Sequence, residues 1–126
     1  MEKNISVIVP AYNEEKHIRN TILHIKEGLK KINEYEILVF NDSSTDNTRL
    51  ILDEISKKDK KVKIFHNNKN KGMGFNFLEG VKVVKYDYMI MIPGDDDIPA
   101  GAISYIMDHM GKADVINPYF TNGIQV

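Results

Sequence analysis

Four short apolar runs, Ile5–Val9, Glu36–Phe40, Val62–Phe65 and Tyr88–Ile92, alternate along the chain with segments whose apolar residues return at every third or fourth position. That alternation is the strongest constraint on the fold. Runs that stay apolar on successive residues suit strands covered on both faces, as in a parallel sheet. The first of them is rich in β-branched residues and is closed by Pro10. Ile18, Ile22, Ile25, Leu29 and Ile32 then repeat at spacings of four and three. They predict an amphipathic helix of about four to five turns, capped by Asn13, with Glu14 and Glu15 at its positive end. A second helix is expected after Ser43-Ser44-Thr45-Asp46, running to about Ser56, and a third over Phe75–Val84. A fourth begins near Pro99, with Ile103, Ile106, Met107 and Met110 on one face. Asp114–Asn117 reads as the start of a fifth strand. The predicted class is α/β, a mostly parallel sheet with helices on both faces and right-handed crossovers.

With 126 residues the chain can bury one core and not two independent ones. Its 17 basic and 18 acidic side chains leave a net charge of −1, too little for a field that collects nucleic acid or acidic membrane by bulk charge. The absence of cysteine excludes disulfides, a thiolate nucleophile and cysteine-bound zinc, and fits a reducing compartment. The amino terminus leads straight into the first strand without the features of a secretory leader, so a cytoplasmic location is expected. The longest apolar stretches are about five residues, far from the roughly 18 needed to span a bilayer.

Several conspicuous features read as structural. Lys57–Lys61 sits between a helix and a strand and is expected to be a solvated connector. His17, His24, His66 and His109 contain no pair at a spacing of four. Gly72-Met73-Gly74 is not a dinucleotide fingerprint, because Phe77 occupies the third glycine position, and no P-loop is present. Met89, Met91, Met107 and Met110 read as core filler.

In open α/β sheets ligands bind beyond the carboxyl ends of the strands. Three segments there are unusual: Pro10-Ala11-Tyr12-Asn13-Glu14-Glu15, Asn41-Asp42-Ser43-Ser44-Thr45-Asp46 and Pro93-Gly94-Asp95-Asp96-Asp97. The first two pair an acid with small residues or an aromatic face, a combination suited to a base and a ribose. The third gathers carboxylates that repel one another by roughly 1 kcal/mol per pair at 4 Å in water, a cost that a divalent cation would remove. Hard oxygen ligands suit magnesium or manganese, which bind through one or two carboxylates plus substrate phosphates. A structural alternative stands beside each: Asp42 and Ser44 as caps of the second helix, and Asp95–Asp97 as charges before the fourth.

Taken in order, Val7–Glu15, Ile37–Asp46, Asn70-Lys71-Gly72 and Asp87-Tyr88 running into the acidic loop resemble the family 2 glycosyltransferases. These include dolichol-phosphate mannose synthases and many bacterial polysaccharide and cell-wall transferases. The resemblance covers nearly the whole chain. It implies a GT-A fold, of which this chain would be the Rossmann-like nucleotide-binding half. It also implies a nucleotide-diphosphate sugar donor, UDP- or GDP-linked, with Mg2+ or Mn2+ as cofactor. Transfer would invert the sugar by a single displacement onto a lipid-phosphate, saccharide or related acceptor.

By the same resemblance Pro10, Ala11, Tyr12 and Glu14 form the nucleoside-binding strand end, Tyr12 near the base and Glu14 near the ribose. Asp42 contacts the base, and its replacement is expected to weaken nucleotide binding while leaving the fold largely intact. Lys71 and Gly72 belong to the loop that closes near the nucleotide. The chain departs from the usual Asp-Asp-Gly-Ser at Asn41 and Ser43. In the acidic loop, aligning Pro99 with the proline that often follows the metal motif puts Asp-x-Asp on Pro93-Gly94-Asp95, without its first aspartate. A shift of two residues restores the motif as Asp95-Asp96-Asp97. Asp95 is expected to be the firmest ligand of nucleotide and metal, and Asp97 the second metal ligand. Asp96 ranks third, because neighbouring side chains in an extended loop point apart.

Members of this family need a further half that carries the acceptor site and the general base. The expectation is therefore a donor-binding part, residues 1–126, truncated at its C-terminus and inactive alone, with the base beyond Val126. A longer protein would work at the cytoplasmic face of a membrane. The competing class is a catalytically silent nucleotide-sugar binding or interaction domain. A phosphoacceptor signalling domain fits less well, because Tyr12-Asn13-Glu14 stands where its acidic pair belongs.

Overall fold

A computed structural model describes residues 3–112. Four parallel strands form one sheet in the order β3-β2-β1-β4. The strands are β1 (Asn4–Ala11), β2 (Glu34–Asn41), β3 (Val62–His66) and β4 (Tyr88–Met91). The helices are α1 (Ile18–Gly28), α2 (Thr48–Lys58), α3 (Met73–Val83) and α4 (Ala100–Asp108). The expected α/β class is the one observed, and the expected fifth strand at Asp114–Asn117 lies outside the described residues.

Side-chain parity divides the core. Val7, Val9, Ile37 and Val39 pack with Ile18, Ile22, Ile25, Leu52, Ile103 and Met107 on the face covered by α1, α2 and α4. Ile8, Leu38 and Phe40 turn to the other face and meet Phe77 and Val81 of α3. A right-handed crossover needs its helix on the opposite face when the direction of travel across the sheet reverses. The chain steps from β1 to β2 to β3 one way and returns to β4 on the far side of β1, so α3 is the helix that changes face. The reversal also opens a crevice outside the carboxyl ends of β1 and β4, where such sheets bind ligands.

Local details depart from the sequence reading. β1 does not stop at Pro10 but continues through it to Ala11, paired with β2 along all eight residues. Pro10 is tolerated there because its carbonyl, accepting from Gly94 N–H at 3.0 Å, faces the β4 side, and its nitrogen faces the same way past the last β1–β4 pair, Ile8 and Met91. Helix α1 has 11 residues and not four to five turns, since residues 14–17 form a turn in which Glu14 C=O accepts from the N–H groups of His17 and Ile18. Asn13 is therefore no cap. Neither Asp42 nor Ser44 caps α2; Asp46 Oδ1 accepts from Thr48 N–H at 2.9 Å instead. Met107 and Met110 are core residues, but Met89, on the outer strand β4, is 44% exposed. Lys57, Lys58 and Lys60 are exposed, as a solvated connector requires.

Candidate functional site

The loops after β1 and β2 are laced together by hydrogen bonds running both ways. Asn13 N–H donates to Ser44 Oγ at 2.9 Å, and Thr45 N–H returns to Asn13 Oδ1 at 2.8 Å. Glu14 N–H donates to Thr48 Oγ1, Glu15 N–H to Asp46 Oδ2, and Asn47 N–H to Glu15 Oε2. Asn13 and Ser43 both take left-handed backbone angles, φ 52° and 63°, as the sharp turns at these strand ends require. The left-handed angle explains why a glycine suits the position of Ser43.

These loops wall a cleft of about 130 Å3. Pro10, Ala11, Tyr12 and Glu14 line it from the end of β1, and Asp42 from the end of β2. Pro93 and Asp95 close it from the loop after β4, and Met73 and Asn76 from the first turn of α3.

Asp42 is the hub. It is 4% exposed, and its carboxylate accepts from Lys71 N–H and Gly72 N–H at 2.8 Å each and from Asn67 Nδ2 at 2.9 Å. Burial pushes the Asp42 carboxyl up, but Asn67, the two backbone N–H groups and nearby Asn76 together hold it below the usual carboxylate range. Lys71 and Gly72 thus enter the site through their backbone. The Lys71 ammonium lies 4.7 Å from the centre of the Phe75 ring. Gly72 has φ 91°, an angle that a side chain would strain, and this lets the chain turn into α3 with its N–H on Asp42.

The departure at Asn41 has a local cause. Its Nδ2 lies 2.9 Å from His66 Nδ1, and His66 Nε2 lies 2.8 Å from Asp53 Oδ1. An amide can donate to a neutral imidazole whose other nitrogen donates to Asp53, whereas an aspartate would need a charged histidine. Asn41 Oδ1 also accepts from Ser44 N–H.

The acidic loop separates its three carboxylates. Asp95 lines the cleft. Asp96, at φ 58°, turns its side chain to His24 on α1. Asp97 is exposed and is not among the residues lining the cleft; its N–H donates to Asp95 Oδ1 at 3.1 Å. The loop is a turn and not extended, so Asp96 leaves the cleft for a reason other than strand alternation. Thr21 Oγ1 donates to Gly94 C=O at 2.9 Å, and a Cβ on Gly94 would stand 3.1 Å from Ala11 Cβ, so a small residue is needed where this loop crosses β1. Burial raises the Glu14 carboxyl above its usual range, Asp95 adds to the rise, His17 opposes it and Asp46 adds again. Among the described residues no three His, Cys, Asp or Glu side chains converge as a metal cage. The carboxylates of Asp95 and Glu14 are nevertheless hard oxygen donors facing one cleft, the set that suits a cation shared with a phosphate.

Residues 6–121 match the family model described as Glycosyl transferase family 2. The chain belongs to that family. Its curated relatives include the glycosyltransferase GlyG of Streptococcus pneumoniae serotype 4, 30% identical over 124 residues, which cover 95% of this chain and 40% of GlyG. Staphylococcus aureus TarS 1-349 in complex with UDP-GlcNAc has a similar fold, with a TM-score of 0.62 and 24% identity over 86% of this chain and 32% of that one. The mannosyltransferase PcManGT of Pyrobaculum calidifontis, in complex with GDP-Man and Mn2+, has a TM-score of 0.66 at 19% identity, covering 84% of this chain and 33% of its own. The chain thus spans less than half the length of these relatives, and both solved folds are GT-A transferases.

For a family 2 glycosyltransferase sequence, the structure brings Pro10, Ala11, Tyr12, Glu14, Asp42 and Asp95 to one cleft, with Lys71 and Gly72 behind Asp42. Pro93, from the unusual acidic-loop segment, also lines it, as do Met73 and Asn76, which the sequence does not mark as site residues. Only for Asn76 was a signal available: a polar residue one helical turn after Gly72, between the apolar Phe75 and Phe77.

Proposed function

We propose that this chain is the donor-binding part of an inverting glycosyltransferase that takes its sugar from a UDP- or GDP-linked donor. The observation that carries the reading is the convergence of Tyr12, Glu14, Asp42 and Asp95 on one cleft at the carboxyl ends of β1, β2 and β4. Tyr12, 47% exposed, offers an aromatic face for the base. Glu14 accepts from the ribose hydroxyls, a role in which a carboxylate partly buried beside Asp95 gains hydrogen-bond donors that its own surroundings lack. Asp42 keeps its ionised form through its N–H donors and presents an acceptor to the base. The cleft leaves the diphosphate near Asp95.

Asp95 would hold Mg2+ or Mn2+ together with the donor phosphates, the cation supplying charge neutralisation for the departing diphosphate; Asp97, expected as the second ligand, stands outside the cleft lining. A mannosyltransferase of similar fold, in complex with GDP-Man and Mn2+, supports the use of a divalent cation. The acceptor, a lipid phosphate or saccharide, and the general base that takes its proton would belong to the part of such an enzyme that this chain, spanning 40% of GlyG, does not cover, with the work done on the cytoplasmic side. Calorimetric titration of UDP and GDP with and without Mn2+ tests the reading: cation-dependent binding of one of them is expected, and binding of neither would overturn it.

A further inference from the structure

His66, at the end of β3, stands between two side chains that make different demands on its ring. Asp53 Oδ1 on α2 lies 2.8 Å from Nε2, and an ionised carboxylate only accepts, so Nε2 carries a proton. Asn41 Nδ2 lies 2.9 Å from Nδ1. The orientation of the Asn41 amide follows from its other end, where Oδ1 accepts from Ser44 N–H at 3.2 Å. Its nitrogen therefore donates to His66, and Nδ1 must be bare to receive it. The ring is neutral in this arrangement. Asn41 is 2% exposed, so water does little to replace a partner that it loses.

A second proton on His66 would set Nδ1–H against the NH2 group of Asn41. Turning that amide over satisfies the ring but points its nitrogen at Ser44 N–H. One hydrogen bond is lost either way. The loss reaches the cleft because Ser44 Oγ accepts from Asn13 N–H, and Asn13 stands between Tyr12 and Glu14, both of which line it. We propose that His66 is a positioning residue of the donor site: as a neutral ring it holds Asn41, and through Ser44 and Asn13 the loop that carries Tyr12 and Glu14, and it loosens that loop on gaining a proton. The role rests on the donor-site reading above and adds to it a dependence on pH.

Among the described residues the charges around His66 are few. Asp53 faces it from α2, with Arg49 4.0 Å from the other oxygen of that carboxylate. On β2 the residue after Asn41 is Asp42, whose carboxylate is turned to Asn67, Lys71 and Gly72. Lys63 of β3 itself reaches Glu36, on the opposite face of the sheet. Asp53 thus favours the charged ring, and Asn41 opposes it.

Two measurements test the role from about pH 8 to 5, the range in which histidines titrate. In the ligand-free wild-type chain, NMR should show the backbone N–H signals of Ser44 and Asn13 moving with the same midpoint as the His66 ring. In Mn2+, affinity for UDP or GDP should fall across that range by roughly three- to tenfold more in wild type than in Asn41→Asp or His66→Asn, the effect of one hydrogen bond. An aspartate at position 41 accepts from a charged His66 and from Ser44 N–H together. An asparagine at position 66 offers Asn41 an amide oxygen and does not titrate. Any slope contributed by the nucleotide phosphate or by Glu14 is common to all three proteins. The NMR measurement needs no variant and decides the matter even where a variant fails to fold. Ser44 and Asn13 signals that ignore the His66 titration, or one slope shared by all three proteins, would overturn the role of His66 and leave the donor site standing. Signals that follow His66 in a chain that binds neither nucleotide at any pH would overturn the donor-site reading, leaving only the hold of His66 on the loop.

Discussion

His24 Nδ1 lies 2.6 Å from Asp96 Oδ1, and this contact ties the middle of α1 to the acidic loop after β4. Thr21, one turn earlier on the same helix, holds Gly94 C=O in the same loop. Two side chains of one helix thereby turn Asp96 away from the cleft that Asp95 lines. Asp95→Asn should abolish the cation dependence of nucleotide binding along with most of the affinity, and Asp96→Asn should matter less. The metal-free Asp95→Asn protein should melt at the same temperature or slightly higher, because repulsion with Glu14 and the neighbouring aspartates is relieved. His24→Ala should cost roughly 0.5–1.5 kcal/mol of stability, as one hydrogen bond is lost. Calorimetry and melting curves on the three variants check these outcomes.

Asp42 has a structural duty as well as its proposed contact with the base. Asp42→Ala strands the N–H groups of Lys71 and Gly72 and the amide of Asn67, and should destabilise the chain by about 2–3 kcal/mol in addition to weakening nucleotide binding. That outcome revises the expectation of a largely intact fold. The pH dependence follows from the lowered folded pKa. Its stabilisation is complete above the unfolded value near 3.8 and disappears as pH falls through the lower folded value. Urea titrations of wild type and Asp42→Asn at a series of pH values below 5 should therefore converge at the acid end.

Glu14 behaves in the opposite sense. Its folded pKa is raised above 4.5, chiefly by burial and then by Asp95, so the ionised side chain disfavours the folded state at neutral pH. Glu14→Gln should raise the melting temperature of the ligand-free chain at pH 7. The gain should shrink as pH falls through the raised pKa and be gone below 4.5, while nucleotide affinity falls at neutral pH. A gain independent of pH would show that ionisation is not its source.

Ser43 occupies a left-handed turn at φ 63°. Ser43→Gly removes the strain of a side chain there, offset in part by the greater freedom of glycine in the unfolded chain. A stabilisation of up to about 1 kcal/mol is expected, read from the midpoint of urea unfolding, with nucleotide affinity unchanged.

The chain should bind its donor yet show negligible sugar transfer, because the carboxylates of the proposed donor site are engaged by the nucleotide and the cation and are not free to take the proton of an acceptor hydroxyl. Product formation measured with a radiolabelled UDP- or GDP-sugar checks this. Robust turnover would overturn the division of labour proposed above.

The periodicity of Ile5–Val9, Glu36–Phe40 and the α1 isoleucines was enough to establish parallel strands and amphipathic helices, because burial on two faces or one stripe writes itself into adjacent residues. The rule that ligands gather at strand carboxyl ends then points to the three segments that hold Tyr12, Glu14, Asp42 and Asp95, which line one cleft in the structure. What sequence could not carry was direction. Whether Asp42 caps α2 or holds the start of α3, and whether Asp96 faces the cleft or His24, depends on residues 29 to 72 positions away in the chain. Such contacts are set when the helices pack on the sheet. The loops have no hydrophobic stripe that could announce them, and Asn76 shows this most clearly: its place in the cleft comes from α3 crossing to the far face of the sheet, and its amide is held there by Asn67, nine residues earlier in the loop before that helix.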